Sequence, residues 1–139
     1  MRNKAKLGEI WLVAIPVLFA KGNNDFDTGV QIRPFLIVDE GKGMLVLENK
    51  DYLALKITTK HNKIKNVEEI KNWKELGLKS KSFIRIEIPQ RIETSQLIAK
   101  ITEIPKEQFF NYYKAMINIF NIDIIEKMMS TEKELIGNK

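Results

Sequence analysis

The chain has 139 residues, contains no cysteine and carries a formal net charge of +5. This length suits one domain with its own hydrophobic core. Without cysteine, neither disulfide bridges nor thiolate metal sites can form. The apolar runs are shorter than the ~18 residues that a membrane span needs, so we expect no membrane association.

Residues 1–22 combine a basic start with an apolar run, a pattern that also occurs in secretory signal peptides. Here the run contains Glu9 and Pro16, lacks a clear small-residue cleavage site and is rich in β-forming residues. We therefore expect a soluble protein of the cytoplasm.

Positive charge is concentrated in residues 56–81, which hold eight lysines and three glutamates. The difference equals the net charge of the whole chain, so the remaining sequence is balanced. A local basic segment attracts polyanions such as nucleic acids. The alternative interpretation is a solvated lysine-rich loop.

Seven β-rich runs predict a mainly β fold. Gly8–Ile15 is the first, ended or marked as an edge by Pro16, and residues 20–29 have the Gly, Asn and Asp content of a loop. Short turns between the following strands suggest a small meander or barrel. These strands are Gln31–Val38, Met44–Glu48, Tyr52–Thr58, a short one at the start of Val67–Gly77, Ser82–Ile88 before Pro89, and Leu97–Ile104. Within Val67–Gly77 the short strand leads into a single helical turn, with Gly77 as the helix stop.

After Pro105 the apolar period lengthens to three or four residues, which predicts an amphipathic helix packed on the sheet. A second helical pattern either continues this helix or turns back after Asn121. We divide the chain into the β domain with its helix, residues 1–120, and a helical extension of the same domain, residues 121–139.

Common catalytic motifs are absent, including phosphate-binding glycine loops, GxSxG and histidine clusters. The single histidine, His61, excludes a two-histidine acid–base pair within one chain. Acidic residues are scattered, so we predict neither a metal site nor a cofactor. The one alternative is that Asp25 and Asp27 meet Glu48 or Asp51.

Two predicted strands change from apolar to polar at residues that suit chemistry on a phosphate. Arg33 directly precedes the run PFLIV, and Thr58 and Thr59 end the run YLALKI. Arg33–Pro34 is expected at a strand start or a sheet edge, because proline cannot donate to a ladder. We therefore expect both strands to open onto one cleft at the end of the sheet.

The order of the segments resembles the MazF/PemK toxins of bacterial toxin–antitoxin pairs over residues 7–120. The segments are GEIWLV, RPFLIV, DYLALKITTK, EIKNWKELGLKSKSFIRIE and QLIAKITEIP, followed by a helix. The resemblance implies an SH3-like small β-barrel with a packed C-terminal helix, a homodimer, and metal-independent cleavage of single-stranded RNA, either with or without the ribosome. It also implies an antitoxin whose disordered acidic tail folds over the RNA groove.

By position, the resemblance assigns catalysis to Arg33 and Thr58, with Thr59 as the alternative if the register shifts by one. It also matches Ser82 and Arg85 to the family's serine and arginine, as RNA contacts. The sequence departs from the family in two places. The segment from Pro16 to Arg33 is longer than the usual glycine-rich turn, and the chain continues beyond the usual end of the fold.

RNA cleavage needs neither water nor metal when the 2′-OH attacks its own phosphate and leaves a 2′,3′-cyclic phosphate and a 5′-OH. Arg33 would stabilise the added charge with its planar donors. Thr58 would hold the phosphate or the 2′-OH. His61 is a candidate general base, although a solvated loop histidine is the preferred interpretation.

Further RNA contacts are predicted for Phe26 by base stacking and for Gln31, Lys56, Lys60 and Lys63 by polar or charged contacts. The alternative for Phe26 is a loop anchor, and the alternative for Arg33 is an edge salt bridge. Trp11 and Trp73 are expected in the core or at the rim of the barrel, and not as stacking platforms for bases. Two other functions stay open: a gyrase-poisoning toxin of the same fold, and an inactive barrel that serves as a repressor or interaction module.

Overall fold

The computed structural model describes residues 4–22, 25–40, 51–60 and 66–137. These residues form six strands and one long helix: β1 Glu9–Gly22, β2 Asp25–Asp39, β3 Asp51–Thr58, β4 Val67–Ile70, β5 Ser82–Glu93, β6 Leu97–Glu103 and α1 Lys106–Gly137. A 3-10 turn, Thr94–Gln96, joins β5 to β6. The predicted strand Met44–Glu48 lies outside the described residues.

The strands form one antiparallel sheet in the order β4-β5-β3-β2-β1-β6. The prediction of a mainly β fold with a C-terminal helix is confirmed. The sheet is open, because β4 and β6 end it on opposite sides and do not pair with each other in the part of the chain described. The six described strands are thus not closed into a barrel, and the expected SH3-like barrel is not confirmed.

Strands β1 and β2 make a long hairpin whose pairing runs from Ile10 and Leu36 to Gly22 and Asp25. The prediction of a loop was wrong for residues 20–22 and 25–29, which are strand. Of the two predicted roles of Pro16, strand end or edge, the structure shows the edge. Strand β1 pairs with β6 only as far as Val13, so beyond that point it has one neighbour. A proline on such a free edge removes no ladder bond. We call residues 14–22 and 25–34 the hairpin arm.

The other two strand prolines behave differently from each other. Pro34 lies just before the β2–β3 ladder, which begins at Phe35, so Arg33–Pro34 has the edge position that was predicted. Pro89 was expected to end its strand, but it lies inside β5 opposite Leu55. It is tolerated because β4 pairs only with residues 82–85 of β5, which leaves Pro89 with one neighbouring strand.

Two buried apolar clusters lie on opposite faces of the sheet. The first fills the space between the sheet and α1, and Leu36 and Met116 belong to it. The second includes Trp11, Phe35 and Ile37 on the other face. Successive side chains of a strand alternate between faces, so residues 35, 36 and 37 supply the two clusters in turn.

Helix α1 is continuous from Lys106 to Gly137, so the chain does not turn back after Asn121. Polar contacts fix its first turns on the sheet. The Tyr112 hydroxyl donates to the carbonyl of Glu69 at 3.2 Å, and the side-chain amides of Gln108 and Asn72 bond each other at 2.8 and 2.9 Å. Burial raises the pKa of Tyr112, which keeps this hydroxyl protonated.

No helix in the described ranges is both long enough and apolar enough to cross a membrane.

A buried carboxylate joins β1 to β6. Glu9 accepts hydrogen bonds from the Lys6 backbone N–H at 2.8 Å, the Trp11 indole at 3.0 Å and the Lys100 ammonium at 2.8 Å. Burial raises the pKa of Glu9, but the hydrogen bonds from Lys100, Trp11 and Lys6 outweigh burial, so its pKa lies below the ordinary value. The ionised carboxylate is therefore the form that stabilises the fold.

Candidate functional site

The strand register sets Arg33 across from Thr58. The β2–β3 ladder ends at the pair Phe35 and Lys56. Moving two residues further along each strand leads to Arg33 and Thr58, on the same face as that last pair. The strands have separated at this point, because β2 continues beside β1 and β3 continues beside β5. The two predicted catalytic residues thus flank one gap in the sheet.

A cleft of about 400 Å³ occupies this gap. Of the lining residues that the structure describes, three are cationic, three carry hydroxyl groups and none is acidic. Such a lining favours an anionic ligand with several oxygen atoms, as a phosphodiester has. The lining residues are Gln31, Arg33, Pro34, Lys56, Ile57, Thr58, Thr59, Lys60 and Ser82.

Arg33 is exposed at the cleft. Its Nη1 donates to the carbonyl oxygen of the adjacent Ile32 at 2.9 Å. No carboxylate among residues 4–22, 25–40, 51–60 and 66–137 forms an ion pair with it. The alternative of an edge salt bridge therefore finds no support in that part of the chain, and the guanidinium keeps donors for a ligand.

Thr58 closes a tight turn at the end of β3. Its Oγ1 accepts from the backbone N–H of Lys60 at 3.1 Å and donates to the carbonyl of Lys60 at 3.3 Å. A hydroxyl oxygen has two acceptor lone pairs, so one remains for a donor on a ligand. Thr59 also lines the cleft, but it lies one residue beyond the end of β3. Thr58 is the residue that the strand register sets on the face of Arg33, so we prefer Thr58 to Thr59.

Most of the other predicted contact residues also reach the cleft. Gln31, Lys56 and Lys60 line it. Ser82 lines it as well, but this residue is buried and its hydroxyl donates to the carbonyl of Ser80 at 2.8 Å. Ser82 therefore shapes the cleft wall, and its hydroxyl proton is already engaged.

Two predicted contacts lie elsewhere. Arg85 is not among the lining residues, and its Nη2 pairs with Oε1 of Glu87 at 3.3 Å. Phe26 belongs to β2 and not to a loop, and it lies on the face of the hairpin arm opposite to Arg33. Neither Arg85 nor Phe26 therefore lines the cleft, and we do not propose them as contacts of a strand bound there.

Some predicted residues cannot be placed. His61, Lys63 and Glu48 lie outside the described residues. In the part that is described, no three histidine or acidic side chains come together as metal ligands would. Pro34 and Ile57, which we did not predict, supply apolar walls of the cleft. The signal that could have found them is their position next to Arg33 and Thr58 in the chain.

No protein-family model matches this chain, and a search of curated proteins also finds no match. The inference of a function therefore depends on the chemistry of the cleft.

Proposed function

We propose that the chain is an endoribonuclease toxin of the MazF/PemK type, which cleaves single-stranded RNA without a metal ion. One observation carries the proposal: Arg33 and Thr58 line the same cleft, and the charged side chains among its described lining residues are all cations. A scissile phosphate bound there would meet the guanidinium on one side and the hydroxyl on the other.

The reaction follows from these two groups. The 2′ oxygen attacks the adjacent phosphorus, the bond from phosphorus to the 5′ oxygen breaks, and a cyclic phosphate and a 5′-OH result. Arg33 stabilises the extra negative charge of the phosphorane through paired N–H donors. The remaining lone pair of Thr58 accepts a hydrogen bond from the 2′-OH and orients it for attack.

The proton of the 2′-OH needs an acceptor, and the 5′ oxygen needs a proton. Among the described residues, those that line the cleft include no carboxylate and no histidine. His61, three residues after Thr58 in the chain, is the candidate that the sequence offers for this proton transfer. Arg33 is a poor proton donor because a free guanidinium stays protonated far above neutral pH.

The fold that we propose with this function is an SH3-like small barrel. The second apolar cluster supports it, because this cluster is buried on the face of the sheet that α1 does not cover, as expected where a sheet curves around its own core. Ile92 of β5 and Leu97 of β6 contribute to that cluster from either side of the 3-10 turn. The proposed partners are a second copy of the chain and an acidic antitoxin. The antitoxin would compete with RNA for Arg33, Lys56 and Lys60. The proposed location is the cytoplasm.

The test is incubation of the purified chain with a long single-stranded RNA in EDTA. We expect defined fragments with 5′-OH and cyclic phosphate ends. Arg33→Ala should slow cleavage by about 10²–10³-fold, because one charge-stabilising donor group is lost. Lys74→Ala, a change at an exposed lysine outside the cleft lining, is the matched control.

Other outcomes identify the alternatives. Full activity of Arg33→Ala would reject the assigned site. Intact RNA together with gyrase-dependent DNA breaks would indicate a toxin that acts on a protein. Intact RNA without such breaks would indicate an interaction module.

A further inference from the structure

An aromatic ring covers a glycine on the hairpin arm. Phe19 of β1 pairs with Asp27 of β2, and its ring leans over Gly29, the diagonal neighbour. A Cβ atom at Gly29 would approach the Phe19 ring too closely to fit, with Cδ2 at 3.2 Å and Cε2 nearer still. The space above Gly29 is therefore filled by the ring, which is still 47% exposed.

The ring lies on the face of the arm that carries the cleft residues. Gly29, Gln31 and Arg33 alternate with residues of the opposite face along β2. The distance along the strand from Gly29 to Arg33 is about 13 Å, at roughly 3.3 Å per residue. An RNA strand whose phosphate lies at Arg33 can therefore pass over Phe19. Phe26, with its side chain on the other face, cannot meet the same strand.

The surroundings of the ring favour a base over the sugar–phosphate backbone. Asp27 pairs with Phe19 on the same face, and its Oδ1 accepts a hydrogen bond from the Thr28 backbone N–H at 3.0 Å. The residue next to the ring is therefore acidic and offers a phosphate no donor. A base has an uncharged π-face that stacks on an aromatic side chain.

We propose that the Phe19 ring, held over Gly29, is a stacking platform for an unpaired base of the RNA strand that enters the cleft. The inference depends on the proposed RNA substrate. It adds a binding residue outside the cleft lining and gives the length of the hairpin arm a role in holding the strand.

The first experiment measures affinity without cleavage. The probe is a fluorescent single-stranded oligonucleotide of about 12 residues, within the size of known single-strand sites. Each residue is 2′-O-methylated, so the nucleophile is absent. Phe19→Leu should weaken binding by about 5- to 150-fold, the loss of one stacked base. Phe19→Tyr should bind as wild type does. The matched control is Phe26→Leu, which should leave affinity unchanged.

A second variant displaces the ring without removing it. Gly29→Ala puts a methyl group where the ring now lies, and Gly29 has no positive φ that would forbid alanine. This variant should lose affinity as Phe19→Leu does. Equal affinity of Phe19→Leu and wild type would overturn the platform, as would an equal loss in Phe26→Leu.

Amide exchange separates stacking from a structural role. The platform predicts that Phe19→Leu weakens binding while exchange in the arm stays slow. Faster exchange throughout the arm, in parallel with the loss of affinity, would show that the ring only covers Gly29 and would reject the platform. A wild-type chain that binds the oligonucleotide but leaves RNA intact would refute the proposed nuclease and leave the platform standing.

Discussion

Salt dependence of RNA binding tests whether the cleft holds the backbone. Three cations, Arg33, Lys56 and Lys60, line the cleft, and none of the other lining residues that the structure describes is acidic. Each neutralised phosphate of a single strand contributes about −0.7 to the slope of log K against log salt. Three contacts give a slope of about −2, so binding should weaken roughly 20-fold between about 50 and 200 mM salt.

The measurement is the dissociation constant of the 2′-O-methyl oligonucleotide over a series of KCl concentrations. Lys60→Ala should reduce the magnitude of the slope by about 0.7, because one phosphate contact is removed. Lys74→Ala should leave the slope unchanged. A flat salt response would refute binding through these cations. A slope of much larger magnitude, which Lys74→Ala makes smaller, would show that RNA binds along the basic segment 56–81 and not in the cleft.

Three further predictions concern stability, each measured by urea unfolding. Glu9→Gln should lower the unfolding free energy by about 1–3 kcal/mol at neutral pH. The pKa of Glu9 is lower in the folded than in the unfolded chain. The loss of unfolding free energy in Glu9→Gln should therefore be largest above the unfolded-state pKa and disappear as pH falls through the folded-state pKa. A loss that does not change with pH would contradict this role of the carboxylate. Met116→Ala should lower the unfolding free energy by about 2–5 kcal/mol, because the Met116 side chain is fully buried. Met128 is exposed, so Met128→Ala should change the unfolding free energy by less than about 0.5 kcal/mol. Equal effects of the two substitutions would refute the docking of α1. Gly77→Ala should cost about 1–2 kcal/mol because Gly77 has a φ of 84°; no loss would refute that conformation.

That Arg33 and Thr58 share one cleft could be predicted because the signal is local. Arg33 and Thr58 both stand where an apolar strand becomes polar, and the pairing of those strands brings such transitions together. Gly77 as the end of the turn after β4 was likewise predicted from its own residue type, and its positive φ confirms it.

The hairpin arm could not be predicted in the same way. The Gly, Asn and Asp content of residues 20–29 indicates a loop, yet antiparallel pairing extends through most of that segment. The side-chain face of Phe26 depends on the register, and a slip of one residue would reverse it. Contacts such as the pairing of Arg85 with Glu87 are decided by side-chain geometry, to which the sequence pattern gives no access.

The most direct test of the account is a double-mutant cycle on RNA cleavage. Single-turnover rates are measured for Arg33→Ala, for Thr58→Val, which keeps the side-chain shape, and for the double variant. If both residues act on one phosphodiester, the double variant should be about as slow as the slower single variant. Two independent losses that multiply in the double variant would contradict a shared site.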